Sequence, residues 1–217
     1  MVTLHIVNNT YRHFKWSSQT KFVDEAWIDF DLTETIFENT FFRNFTFHNC
    51  VFNKSKLDHA GFFNCNFVNC IFDRVSFKNV AIGAEGGLYS RCKFLNCDFI
   101  GRGFSYPHFQ ECLFSKCKLA NINFNGSSFN NTKFIGKLED VSFNGICHKV
   151  DTKYKVLEHV DFSEAEFGEF VNFYDCDLST CIPPKGTTFD KLLYQIYSND
   201  PNVLSTGSED RIVLTRK

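Results

Sequence analysis

Large apolar residues recur at every fifth position. The series runs from Leu32 through Phe37, Phe42, Phe47, Phe52, Leu57, Phe62, Phe67, Phe72 and Phe77 to Ile82. A second run continues from Phe94 through Phe99, Phe104, Phe109, Phe114, Leu119, Phe124 and Phe129 to Phe134. Two positions before each large residue stands a mostly small one, as at Cys50, Ser55, Ala60, Cys65, Cys70, Cys92, Cys97, Cys112, Cys117 and Thr132. A period of five fits neither a helix, which needs about 3.6, nor a strand, which needs 2. Within a unit, however, the small and large residues are two apart, so a short extended segment points both the same way. The next inward residue follows three positions later, which requires the chain to turn.

The corner positions carry residues suited to turning. Asn39, Asn44, Asn49, Asn64, Asn69, Asn79, Asn96, Asn121 and Asn131 lie two places after a large residue, and Asn tolerates left-handed backbone better than most side chains. Corners of about 90° close four units into a square turn of twenty residues, with successive turns at the strand spacing of about 4.8 Å. Residues twenty apart then stack, which places Cys50 over Cys70, Cys92 over Cys112, Cys97 over Cys117, and the phenyl rings in internal columns. The pattern predicts an all-β solenoid in which each turn buries its faces against its neighbours.

The beat is interrupted twice. Ile82 to Phe94 holds two residues more than two units, and the Gly-rich stretch 83–90 is expected to leave the coil as a small loop. Residues 145–159 lack clear units and are expected to form a larger excursion; VDFSE (160–164) and AEFGE (165–169) then restore the pattern. Arg102 and Pro107 fall at small inward positions, where neither fits well. The first nineteen residues read as a hairpin cap, VTLHIV (2–7) turning at Asn8–Asn9 into YRHFKW (11–16). After IPPKG (182–186), Phe189, Leu192, Leu193, Ile196 and Tyr197 share one face of a short helix over 188–198, with Thr187 and Asp190 as its capping box. That face either lids the last coil or meets a second copy, and RIVLT (211–215) can add a strand. The expected organisation is a cap at 1–19, a coil at 20–182 and a helical tail at 183–217.

Composition sharpens the picture. The chain has 217 residues, with 28 Phe against 2 Trp and 1 Met, so a single packing problem is being solved repeatedly. Its 10 Cys are explained as small buried hydrophobes. They are spaced C-x4-C without convergent ligands, so no metal or cofactor is expected. The start has no basic head and long apolar run, and no apolar stretch reaches the length of a membrane span, about 18 residues. A cytoplasmic protein with reduced thiols is expected. Cys147 and His148, with His159, are the best nucleophile–base candidates, but a square rod offers few pockets, so no catalytic residue is expected.

Net charge is -2, yet it is unevenly spread. Residues 22–42 and 158–177 carry acids and no Lys or Arg, whereas 43–118 carries ten bases against five acids.

The units CNFVN (65–69), CIFDR (70–74), CKFLN (92–96), CLFSK (112–116) and CKLAN (117–121) resemble the pentapeptide-repeat family. The resemblance implies a right-handed quadrilateral β-helix with a short C-terminal α-helix. Some members of that family mimic B-DNA and protect type II topoisomerases, DNA gyrase or topoisomerase IV, from quinolones. On that implication this chain is a non-catalytic protein-interaction module that binds no nucleic acid directly. Its contact candidates are Glu85, Leu88 and Tyr89 of the first interruption, Lys153 and Tyr154 of the second, and Glu158, Asp161, Glu164, Glu166 and Glu169. Phe189, Leu192, Leu193, Ile196 and Tyr197 would form the cap or a homodimer contact. The alternative reading is a generic scaffold or adaptor with another partner.

Overall fold

The computed structural model describes residues 10–16, 19–101, 104, 106–124, 126–144, 155–174, 176–192 and the backbone of 211–214. In it the five-residue beat becomes a four-sided coil of short parallel strands. Phe22 lies beside Phe42, Phe42 beside Phe62, and Phe62 beside Ile82. The next column runs Trp27, Phe47, Phe67, Tyr89, Phe109, Phe129 and Leu157. A third runs Phe72, Phe94, Phe114 and Phe134. Strand spacing sets ring spacing: the Phe47–Phe67 and Phe67–Tyr89 centroids are each 4.7 Å apart, and Phe94–Phe114 is 4.7 Å with an interplanar angle of 15°. Between columns the rings meet edge to face, as Phe109 and Phe114 do at 5.3 Å. Rings inside these columns thus have stacked neighbours above and below and tilted neighbours beside them, both favourable arrangements for the aromatic quadrupole.

The corners explain how three residues reverse the side chain. Asp24, Asp29, Glu34, Asn39, Asn44 and Asn49 all have φ between 50° and 61°, and the left-handed position recurs up the coil at Asn64, Asn69, Asn96, Asn121 and Asn131. Side-chain amides stack there as ladders. Asn64 donates to Asn44 (2.9 Å), which donates to Asp24 (2.9 Å). Arg91 donates to Asn69 (2.7 Å), Asn69 to Asn49 (3.1 Å), and Asn49 to Asp29 (2.8 Å). An acceptor-only carboxylate at the base and a donor-only guanidinium at the top give the second ladder one direction.

The small inward positions also share a chemical task. Most of these thiols and hydroxyls point at a main-chain carbonyl of the turn before, Thr40 and Ser127 excepted. Cys65 reaches Phe42 O (3.4 Å), Cys92 reaches Phe67 O (3.3 Å), Cys112 reaches Tyr89 O (3.1 Å), and Ser55 donates to Leu32 O at 2.7 Å. Burial pushes the Cys65 thiol up to about 11 and Cys92 well above its ordinary value. The nine described cysteines are free, and the seven from Cys50 to Cys117 are buried. The sulfhydryl pairs expected from spacing lie in side-chain contact: Cys50 with Cys70, Cys92 with Cys112, and Cys97 with Cys117. Cys70 also touches Cys92 across the first interruption, because the two extra residues are absorbed elsewhere.

Several sequence expectations need correction. Residues 83–90 do not leave the coil: Ala81–Ser90 is one strand, hydrogen-bonded along Gly61–Val68 with register shifts between Phe62 and Cys65. The extra residues form a bulge within the wall, permitted by positive φ at Gly83, Glu85, Gly86 and Gly87. The bulge also accommodates Pro107, which is buried at its inward position with its ring against Gly83. Arg102 lies outside the described residues.

The second interruption is shorter than expected at its far end, since Leu157–Glu158 already pairs with Phe129 and Asn130 in the wall. Residues 145–154 lie outside the described residues. Residues 10–16, one arm of the expected hairpin, form the first described turn of the coil, bridging in parallel from Thr10 to Asp31 and from Lys15 to Ile36. Tyr11, Trp16 and Trp27 plug that end: Tyr11 lies 5.3 Å from Trp16, and Trp16 5.6 Å from Trp27. Residues 1–9 lie outside the described residues.

At the other end the helix begins at 189. Thr188, not Thr187, is its N-cap: Lys191 N–H donates to Thr188 Oγ1 at 3.2 Å. The position of the expected box partner is therefore held by Lys191, and no capping box forms. Phe189 sits on the last level, 6.4 Å from Phe162 and 6.2 Å from Phe173, and Leu192 packs against the same core. Leu193, Ile196 and Tyr197 lie outside the described residues. Arg211–Leu214 adds an antiparallel strand to Val171–Tyr174.

Candidate interaction surface

The large residues of the five-residue beat point inward, so a partner meets the outer faces. The wall positions flanking each inward residue alternate in charge between turns. Asp31 pairs with Arg12, Glu34 with His13 (2.9 Å) and Lys54 (3.4 Å), and Glu38 with Lys15 (3.8 Å). Half of the acidic block at 22–42 is thus answered by bases of a neighbouring turn, while Asp24 and Asp29 accept from Asn44 and Asn49. Asp98 likewise lies between Lys78 (3.5 Å) and Lys118 (3.6 Å).

The C-terminal turns differ. Lys133 binds both Asp161 (3.0 Å) and Glu164 (2.7 Å), and Lys137 binds Glu139 (2.8 Å). The strands Lys133–Asn144 and Asp161–Phe167 place Glu166 beside Lys137, and Asp140 N–H donates to Glu169 O at 2.8 Å. Glu139, Asp140, Asp161, Glu164, Glu166 and Glu169 thus gather around two lysines. Sequence reasoning missed Lys133 and Lys137 because the broken register hides which residues lie over 161–169.

The remaining candidates scatter. Glu85 is exposed and pairs with Arg43. Leu88 is half-buried, its N–H donating to Asn66 Oδ1. Tyr89 is not a surface contact: it is 2% exposed in the column between Phe67 and Phe109, and burial pushes its phenol well above the usual value. It fills a Phe position, so a partner cannot reach it. Glu158 accepts from Asn130. Lys153 and Tyr154, like Cys147 and His148, lie outside the described residues. Exposed His159 keeps its backbone N–H on Thr180 Oγ1 (3.0 Å). No cluster of three or more His, Cys, Asp or Glu able to hold a metal occurs among the described residues, and none of their helices is long and apolar enough to cross a membrane.

Asp161 makes the acidic surface pH-sensitive. Burial alone would raise its carboxyl, but the Ser163 N–H at 2.8 Å, the Ser163 hydroxyl and the Lys133 ammonium outweigh it and hold the group below the ordinary carboxylate value. The folded value is thus below the unfolded one. The stabilisation is present above the ordinary range and is lost as pH falls through the folded value. The thermal midpoint of the parent chain should fall more steeply between about pH 5 and pH 2 than that of Asp161→Asn. Parallel profiles would mean that the contacts do not favour the ionised carboxylate.

A family model described as pentapeptide repeats matches residues 108–145 with 8 copies. A search of curated proteins finds no match. Similar solved structures include full-length QnrB1, a plasmid-mediated fluoroquinolone resistance protein, at 13% identity, with TM-score 0.35 and coverage of 88% of this chain and 97% of that one. A trypsin-treated QnrB1 variant gives 11% identity, TM-score 0.37, and the same 88% and 97% coverage. HetL, a pentapeptide repeat protein involved in heterocyst differentiation regulation from the cyanobacterium Nostoc, gives 11% identity, TM-score 0.35, and coverage of 81% and 87%. The matched repeats lie inside a coil whose five-residue unit recurs on both sides of them, and residues 108–145 are similar to the pentapeptide-repeat family.

Proposed function

We propose that this chain is a non-catalytic protein-interaction module of the cytoplasm, and that its C-terminal acidic surface docks on the basic DNA-binding surface of a type II topoisomerase such as DNA gyrase. The observation that carries this reading is the cluster of Glu139, Asp140, Asp161, Glu164, Glu166 and Glu169 around Lys133 and Lys137. Carboxylates on a rigid wall at strand spacing occupy a cationic groove without paying for their own ordering, and they steer association at low salt. A homodimer through the tail would rest on residues beyond Leu192, since Phe189 and Leu192 are already packed on the last turn.

The test is gyrase supercoiling in the presence of ciprofloxacin, with and without the full chain. Supercoiling should be restored, and Glu164→Lys with Glu166→Lys should abolish the rescue. Failure of the parent chain to rescue at micromolar excess would rule the topoisomerase out.

A second reading, a scaffold for another partner, is favoured by the ion pairing of the other turns. With Asp31, Glu34, Glu38 and Asp98 already matched to bases, most of the rod carries no DNA-like row of free charge. Recovery of a partner other than a topoisomerase, through contacts that survive the two charge reversals, would support it.

A further inference from the structure

One outer face near the N-terminal end breaks the polar pattern of the walls. Phe41 and Phe63 occupy outward positions on Phe41–Arg43 and Gly61–Val68, where solvent-facing residues are expected. Their rings are 6.4 Å apart and tilted by 36°. Gly61 makes room for them: a Cβ there would lie 2.4 Å from Phe63 Cε2 and 2.9 Å from Phe41 Cδ1. With Lys21, Val23 and Arg43 these rings line a cavity of about 330 Å³. The Arg43 guanidinium lies 5.1 Å from the centroid of the Phe63 ring, a cation–π contact, and donates to the Glu85 carboxylate. Lys21, on the same rim, has no carboxylate partner among the described residues. Val23 is 46% exposed beside it.

We propose that this cavity is a docking site for a segment of a partner protein that presents one large apolar side chain next to a carboxylate. The apolar group packs into the cavity against Phe41 and Phe63, and the carboxylate sits between Lys21 and Arg43. Charge complementarity chooses the occupant. Both rim charges are cationic, and the contact from Glu85 is an internal example of the carboxylate that Arg43 takes. The exposed rim suits a protruding side chain, because a small free ligand would leave much of its surface in water. The two strands that carry the Phe rings are already paired on both sides, to Lys21–Val23 and Ala81–Ser90, so the rings are reached by a side chain and not by a strand added beside them. The site is independent of the C-terminal acidic surface and of the partner that surface meets.

The test uses the full chain and the blocked peptide acetyl-Gly-Asp-(para-fluorophenylalanine)-Glu-Gly-amide, followed by fluorine NMR. A short peptide with one anchor should bind with a dissociation constant near 1 mM, the order expected for about 4 kcal/mol. Lys21→Glu, and separately Phe41→Ser with Phe63→Ser, should each weaken it about tenfold. Glu85→Gln should tighten it two- to threefold, roughly, by freeing Arg43. These side chains lie outside the internal columns, so unchanged circular dichroism and thermal midpoints would confirm that the variants remain folded. Three results would overturn the proposal: no shift with the parent chain, equal binding of the peptide with Lys in place of Asp and Glu, or a mass that doubles with concentration and falls back in the double Phe variant. The last would assign the face to a second copy.

Discussion

Phe114→Ala is expected to destabilise the coil by about 3–5 kcal/mol, the range for emptying a fully buried phenyl site. Phe114 has no exposed surface. It stacks at 4.7 Å on Phe94 below and at 5.0 Å on Phe134 above, and meets Phe109 edge-on at 5.3 Å. The void cannot close easily, because the level height is fixed by the parallel ladder that joins Leu113–Ser115 to Lys93–Leu95 and Lys133–Asn144. Unlike a globular core, the coil has no distant side chains to lean in; only the adjacent levels can respond. Phe114→Leu should cost only about 1 kcal/mol, since a volume-similar apolar swap is tolerated, and Leu57, Leu119 and Leu138 already occupy large inward positions elsewhere. Urea unfolding followed by circular dichroism separates the two variants. A cost below about 1 kcal/mol for the alanine variant would mean that the columns are loosely packed.

The inward columns were legible in the sequence because they depend on one number, the five-residue spacing, and on side chains too large to be placed elsewhere. Corners were legible for a similar reason: Asn44, Asn49, Asn64 and Asn69 stand where left-handed backbone is needed. The vertical thiol pairs followed from the same arithmetic wherever the interval was twenty. Information ran out where the interval changed. Tyr89 reads as part of a Gly-rich loop until the bulge is known to keep it at an inward position. Lys133 lies over Asp161 at a separation of twenty-eight residues, and no periodicity announces that contact. Outer-face charges carry the least local information, because each depends on which turn lies above and below. A block of acids such as 22–42 therefore looks free in sequence, whereas Asp31, Glu34 and Glu38 are paired in space with Arg12, His13, Lys15 and Lys54. The cavity beside Gly61 was legible only as an anomaly, two Phe at solvent-facing positions.

The bulge provides the other large effect, and it separates a packed wall from a tolerated loop. Gly86 and Gly87 are adjacent in sequence and both have positive φ, +88° and +130°. Gly86 has open space where a Cβ would go, whereas a Cβ on Gly87 would lie 2.5 Å from Cys65 O and 3.3 Å from Cys65 N. Both of those atoms are backbone, held in the ladder that pairs Cys65 with Gly87, so neither can swing aside as a side chain could. Gly86→Ala should therefore cost only the strain of a left-handed alanine, about 1–2 kcal/mol. Gly87→Ala adds the clash and should cost about 3–5 kcal/mol, combining backbone strain with overpacking. It should also expose the column below it. Cys65 is buried at that level with its thiol held up by burial, and a disrupted pairing would let iodoacetamide reach it sooner than in the parent chain. A free loop at 83–90 would make the two substitutions nearly equal and leave Cys65 protected in both. Equal unfolding midpoints for Gly86→Ala and Gly87→Ala would thus argue that the extra residues leave the wall after all.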